Sequence, residues 1–496
     1  MIPNEIKTDR SRIVSYKCPR YRYLAYELRS LEVRENGEES RGWSPARPSF
    51  DIEIGSGVHK VMEKILGWWM KGGHKLGVDG FIGMLQSPVT QATTETTETW
   101  IQRALEAGFK EFEEAVKSWL DGQLAPPQEV TVTEEQMAAA GVDPSGLDLG
   151  PLGGLNFDIG GSEQQPELLY QYHESLAMLE ALARAYILAP SGLKWLLDTY
   201  EVLAVEQEVT VPIDVDFGLN QTKLLLMGRP DGILRDRHSG HYFVLSFKTT
   251  KEWDKRKEQA FKFDDQGLSE SIVGDYWLKQ LTGDGANRIF GVQTVALLKG
   301  GKRQDKGSKE YRYTNGLIRP YKKPFMNEDR YQLDYSWEDE NGNGHNIGKG
   351  WTKVNLWEAG QPGVAWWLGQ IASGAANLNG YEWSELAGDY VGKHPLDGFV
   401  VNPIFYRNEE DLGDWMEMMV SQETNIRRDR ENIESLEWDD VDRRRGYVNC
   451  LFPMRRGCCT YPVNCEFIPV CHEGVSIGGS GLFIPRKPNH PQESGE

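Results

Sequence analysis

Gly228-Arg-Pro-Asp231-Gly-Ile-Leu234, then a turn at Arg237-His-Ser-Gly240, then Tyr242-Phe-Val-Leu-Ser246-Phe-Lys248-Thr-Thr250 is the stretch on which the fold turns. Its apolar runs read as strands over 223–234 and 241–247, and two strands joined by so short a turn form a hairpin. One strand carries an Asp and the other a Lys to the same end of the hairpin. Ser246 and Lys248, two apart on a strand, point to one face. Hydrolysis of a phosphodiester with divalent ions needs hard oxygen ligands for Mg²⁺ or Mn²⁺, and a cation to steady the nucleophile or the developing charge. Asp231 and Lys248 supply one of each.

Outward from the hairpin, Tyr200-Glu-Val-Leu-Ala-Val-Glu-Gln-Glu-Val-Thr-Val-Pro-Ile213 alternates as a half-buried strand does, so Glu206 and Glu208 would share one face. A helix is expected through 275–283 and a strand over 290–298. Upstream, Val58, Met62, Ile65, Leu66 and Trp69 recur at helical spacing over 51–70 and put His59 beside a buried stripe. Further helices are expected at 99–120 and 167–188. Helix, three strands, helix, strand is the order of an α/β unit.

With these elements in place, Pro230-Asp231 followed by Ser246-Phe-Lys248 resembles the signature of PD-(D/E)XK nucleases. Gly55-Ser-Gly-Val-His59 and Gln266 in Asp264-Asp-Gln-Gly267 resemble the further motifs of the RecB-like branch. The resemblance implies a restriction-endonuclease-like core, a mixed sheet flanked by helices. It also implies metal binding by Asp231 and His59, a water-positioning Lys248 and a supporting Gln266. One position departs from the pattern: the second acidic ligand belongs at 246, where Ser246 stands. The site is dead, the sequence is an inactivated variant, or a carboxylate has migrated, with Glu206 and Glu208 as the candidates.

Six cysteines in 496 residues are too few for a disulfide scaffold, and clustered cysteines in a reducing compartment more often hold metal. Cys459, Cys465 and Cys471 are spaced six apart, and Cys18 offers a fourth thiolate from the other end of the chain. Such a set suits a four-iron cluster or a Cys₄ zinc site. Equal spacing favours Cys459 over its neighbour Cys458. One N-terminal cysteine plus a C-terminal triplet resembles the iron–sulfur clasp of AddB-type and CRISPR-adaptation nucleases, which implies a structural 4Fe-4S cluster.

A formal charge of −19 excludes a protein that coats nucleic acid non-specifically, so any DNA contact must be local. Arg229, Lys248 and the basic stretch 299–306 are the expected channel. No 18-residue apolar run and no signal-peptide layout are visible, so a cytoplasmic location and no membrane contact are expected. The expected organisation is an N-terminal helical part (1–122), a Gly/Pro/Asp-rich insertion (123–166), a nuclease core (167–299) and a β-rich insertion (300–365). A C-terminal helical part with the Cys triplet (366–485) and a disordered tail (486–496) complete it. Trp415, Met416, Met418 and Met419 are expected in the core of the C-terminal part. The implied activity is DNA cleavage at single strands or duplex ends, with a helicase or recombination protein as a partner. The alternative is a degenerate fold that binds DNA or a partner protein.

Overall fold

The computed structural model describes residues 5–33, 39–87, 99–124, 165–215, 222–299, 400–435 and 441–486, apart from positions 16, 252, 263, 460–464 and 479. It also describes isolated strands within 128–159 and 302–352. The expected helical stretch 366–399 and the tail beyond 486 lie outside the described residues.

Three long helices form one layer: α1 (Phe50–Lys71), α2 (Trp100–Leu124) and α3 (Gln165–Leu188). The stripe read from the sequence is buried, with Val58, Met62, Ile65 and Leu66 at 0 % exposure. Helices α1 and α2 meet at glycines. A Cβ on Gly108 would lie 2.6 Å from the Gly57 carbonyl oxygen, and one on Gly57 would lie 2.8 Å from the Gly108 carbonyl oxygen. Gly108→Ala is therefore expected to force the helices apart at a cost of about 1–3 kcal/mol. An unchanged denaturation midpoint would show that the contact is not close.

The main sheet is built from β2 (Tyr200–Val205), β5 (Gly232–Asp236), β6 (Tyr242–Thr250), β7 (Ile289–Leu298), β8 (Val400–Val401) and β9 (Ile404–Tyr406). Its order is β8-β7-β6-β5-β2, with β9 also on β7. Strands β6 and β7 run parallel and the other pairs antiparallel. The parallel pair needs a crossover, and α4 (Asp265–Thr282) provides it. A smaller sheet, β1-β4-β3, joins β1 (Glu5–Asp9), β4 (Thr222–Gly228) and β3 (Val209–Val215), with β1 parallel to β4. The chain is thus a mixed α/β fold whose mixed sheets are flanked by helices.

Several boundaries differ from those read in the sequence. The alternating run 200–213 is two strands in different sheets, parted at Glu206-Gln-Glu208. The run 223–234 is likewise broken at Arg229-Pro-Asp231, because proline offers no N–H to a ladder. Helix α4 begins ten residues earlier than expected, capped by the Asp264 carboxylate on the Gln266 N–H. The N-terminal part is not only helical, since it contributes β1. Trp415 and Met419 are buried in α5 (Glu409–Glu434) and Met416 packs against the same core, whereas Met418 is 41 % exposed. The strands within 302–352 pair into two small three-stranded antiparallel sheets.

The two ends of the chain meet. Trp43–Pro45 pairs with Phe483–Pro485, and Tyr23, Trp43, Phe452, Phe467 and Phe483 share a third hydrophobic cluster. Among the described residues no helix is long and apolar enough to cross a membrane.

Candidate active site

Strand register explains how the motif residues converge. Gly232 pairs with Leu245, so the chain enters β5 with Asp231 opposite Ser246. One Asp231 oxygen accepts the Phe247 N–H and the other lies 3.1 Å from His59 Nδ1. His59 arrives from α1, whose first turns lie close over the end of β6: a Cβ on Gly55 would be 3.1 Å from Thr249 Oγ1. Glu206 arrives from the break after β2, its N–H donating to the Asp231 carbonyl at 3.1 Å. It is the one described non-glycine residue with a positive φ, +25°. Such backbone costs energy and persists where the surroundings impose it.

His59, Glu206 and Asp231 each bring a ligand atom within 4.8 Å of the others. The electrostatics are those of crowded charge. Burial pushes the Glu206 carboxyl up, the Asp231 carboxylate adds to the push, and it reaches about 7. Burial alone would raise Asp231 too, but His59, Lys248 and the Phe247 N–H together hold it below the carboxylate range. Burial alone would lower His59, yet Asp231 wins and raises it. A divalent cation within reach of all three would replace the His59 proton and relieve the repulsion between the acids. Imidazole with two carboxylates suits Mn²⁺ as well as Mg²⁺.

Helix α4 supplies the second half. It lies tightly on the strands, since a Cβ on Gly274 would fall 2.3 Å from Val244 Cγ2. Its first turns present Gln266 and Glu270, four apart and so on one face. Gln266 Nε2 donates to Glu270 Oε1, and Ser246 Oγ donates to the same oxygen at 3.3 Å. Lys248 Nζ lies 3.5 Å from it. The other oxygen, Oε2, is buried and has no hydrogen-bond partner. A buried carboxylate oxygen without a donor is costly and marks a place where a cation fits.

Glu270 is therefore the acid that the sequence reading missed. Of the two candidates named for migration, Glu206 joins the site, but beside Asp231 and not beside Ser246. Glu208 does not line the cleft, because the strand they were to share is interrupted between them. Ser246 is 1 % exposed and serves as a donor to Glu270. The signal that could have found Glu270 was its spacing of four from Gln266, once α4 is recognised to start at Asp265.

His59, Glu206, Asp231, Lys248, Gln266 and Glu270 open on one cleft of about 780 Å³, which Arg229, Lys60 and Lys299 also line. Arg229 Nε is 3.9 Å from Glu206 and its side chain is 58 % exposed. Lys299 is 7 % exposed and its ammonium is held by Asp51, 3.0 Å from both the backbone oxygen and Oδ1. It joins the start of α1 to the end of β7 and is not a free phosphate contact. Residues 300, 301, 305 and 306 of the expected basic channel lie outside the described residues.

The cysteines gather where the chain ends meet. Cys18, Cys459, Cys465 and Cys471 are half-buried, whereas Cys450 and Cys458 are exposed. Burial pushes the Cys465 thiol up to about 11, with Cys471 and Cys18 adding to the push, and Cys471 is raised by burial and by Cys18 and Cys459. Cys471 thus senses Cys18 and Cys459, and Cys465 senses Cys18 and Cys471. Cys458 Sγ lies 3.7 Å from the carbonyl oxygen of Lys17, the neighbour of Cys18, and Cys459 Sγ lies 3.5 Å from His472 Nε2.

No family model matches this chain, and no curated protein matches it.

Proposed function

We propose that the chain is a divalent-metal-dependent deoxyribonuclease whose two ends are held by a four-iron cluster. The observation that carries the reading is the convergence of Asp231, Glu270 and Lys248 in one cleft, with His59 and Gln266 beside them. Asp231, His59 and Glu206 would hold a Mg²⁺ or Mn²⁺ ion, and Glu270 Oε2 offers a further ligand. The bound ion would polarise the phosphate and lower the pKa of a coordinated water. Lys248 shares its charge between Glu270 and the Asp231 side, where it can hold the attacking water and offset charge on the phosphate. Gln266 fixes the Glu270 rotamer, and Ser246 completes that grip. A degenerate, binding-only fold is disfavoured because an acid from α4 occupies the neighbourhood that Ser246 leaves without one.

The cluster half of the proposal rests on the four neighbouring, half-buried thiols. A mononuclear tetrahedral zinc with bonds of 2.3 Å would hold sulfurs about 3.8 Å apart. No three cysteine sulfurs among the described residues come within 4.8 Å of one another. A cluster with one thiolate per iron spaces its ligands more widely, and the ground for preferring iron is the order of one N-terminal and three C-terminal thiols.

The test is a Mn²⁺-dependent assay on single- and double-stranded DNA, with Asp231→Asn as control, on protein purified without oxygen and analysed for iron and sulfide. Cleavage by the wild-type chain that disappears in Asp231→Asn, from a brown protein, is expected. A wild-type chain that binds Mn²⁺ yet cleaves neither substrate would overturn the nuclease reading. Iron-free protein would overturn the cluster.

A further inference from the structure

Strand β6 does not lead directly into α4. Between them lies a helix, Lys255–Lys262, that has no buried residue. Eight residues with no face to bury are marginal as a helix in water. This one is held only at its ends. Asp254 caps the first turn by accepting the Lys257 N–H at 2.8 Å. Phe261 stacks between Trp253 and Phe405 at ring distances of 5.1 and 6.3 Å. Arg407 donates to the carbonyls of Phe261 and Lys262, crossing Gly267 so closely that a Cβ there would meet its guanidinium at 2.1 Å.

The composition of the helix opposes that of the chain. Four cations, Lys255, Arg256, Lys257 and Lys262, stand against one acid, Glu258, in a protein of net charge −19. Lys255, Arg256 and Lys257 are exposed and make no ion pair with any described residue. The helix starts seven residues after Lys248 and ends four before Gln266, and both of those residues line the cleft. Trp253 at its foot is only partly buried.

Resting on the nuclease reading, we propose that this helix and Trp253 are the docking track for single-stranded DNA entering the cleft. Lys255, Arg256 and Lys257 meet successive phosphates, and an unpaired base stacks on the accessible part of the Trp253 ring. A half-buried aromatic with an accessible edge beside a short basic run suits a single strand, because the bases of a duplex are already stacked on each other. It also resolves how so acidic a chain could hold DNA: the attraction is confined to the rim of the site.

The experiment measures binding of a fluorescent thymine oligonucleotide to the full chain by anisotropy, in chelator so that nothing is cut, across a salt series. Lys255→Gln with Arg256→Gln and Lys257→Gln is expected to flatten the log–log salt slope by about 2 and weaken binding roughly 10- to 100-fold near 0.1 M salt. Trp253→Ala should lose roughly 5- to 100-fold on the single strand and little on duplex, and Trp253→Phe should recover most of it. Lys71→Gln with Lys75→Gln, at the other end of α1, is the control and should change neither quantity. All the substituted cations are exposed, so melting temperatures should match wild type. A triple variant with the wild-type slope, or a control pair that weakens binding equally, overturns the track. Mn²⁺-dependent cleavage by the wild-type chain is measured in parallel. If the chain cuts DNA while the slope stays unmoved, the track alone falls; if it neither binds nor cuts, the nuclease reading falls and takes the track with it.

Discussion

Glu270→Gln is expected to cut Mn²⁺-dependent DNA cleavage roughly 10²- to 10³-fold, a loss of about 3–4 kcal/mol of transition-state stabilisation. The substitution preserves shape and leaves an amide oxygen for Ser246, so the fold should survive. What disappears is the charge facing Lys248 and the buried Oε2 that no protein donor satisfies. If that oxygen serves a cation, a neutral amide cannot replace it. Ser246→Asp adds a decisive arm. In the Glu270→Gln background it returns an acid from the strand to the same pocket and should restore activity about tenfold or more. In the wild-type background it sets two carboxylates side by side where Ser246 now donates at 3.3 Å, and like charges in a closed site disfavour each other's ionisation. Activity and stability should then both fall. Cleavage by Glu270→Gln within twofold of wild type would remove Glu270 from the machinery and reopen the search for the second acid.

The limits of the sequence reading fall at one kind of place. The hairpin and the His59 helix were legible because each buries a regular stripe, and the period of burial is written in the apolar residues; the crossover helix was legible only in its second half. Helix α1 covers the expected stripe, and β7 differs by one residue at its start. The errors cluster at breaks within such runs. Glu206–Glu208 and Arg229–Asp231 lie inside stretches whose apolar pattern continues on both sides, and only the pairing of partners shows that the chain changes sheets there. Those two breaks are where Glu206 and Asp231 come together, since irregular backbone lets a side chain leave the pleat and turn inward. Glu270 was hidden for a different reason. Helix α4 buries Ser269, Ser271, Gly267 and Gly274 against the strands, so its inward face reads as polar and the helix looks shorter than it is. By its sequence alone the basic run Arg427-Arg-Asp-Arg430 reads as a solvated face, yet Arg427 pairs with Glu431 at 3.1 Å and Arg430 with Glu27 at 2.7 Å. Only the fold brings Glu27 within reach.

That last pair belongs to a buried network for which Arg22→Met is expected to destabilise the chain by about 3–5 kcal/mol, because charges of one sign lose their partner in a closed site. Arg22 is 1 % exposed, and it donates to Glu27 at 2.9 Å and to both Glu423 oxygens at 3.1 and 2.8 Å. Removing it leaves Glu423, on α5, without either bond. Arg22→Met with Glu423→Leu should recover a good part of the loss, since neither orphan then remains. The pH dependence follows from Glu27. Burial alone would raise its carboxyl, but Arg22 and Arg430 overcome burial and hold it down at about 2, against 4.5 when unfolded. A folded pKa below the unfolded one stabilises the fold above pH 4.5, by about 3 kcal/mol, and that contribution drains away as pH falls towards 2. Denaturant midpoints at pH 7, 4 and 3 should show wild type and Arg22→Met converging as the acid limit is approached. A constant gap across that range would mean that Arg22 acts through packing against Tyr26, whose ring centre lies 5.3 Å from its guanidinium, and not through charge. The comparison also bears on the proposed cluster. Cys18 lies four residues before Arg22, so the ion network fixes this segment to α5 whether or not iron is bound. Apo protein should therefore keep its ends together at pH 7 and lose protection from proteolysis there only when Arg22 is replaced.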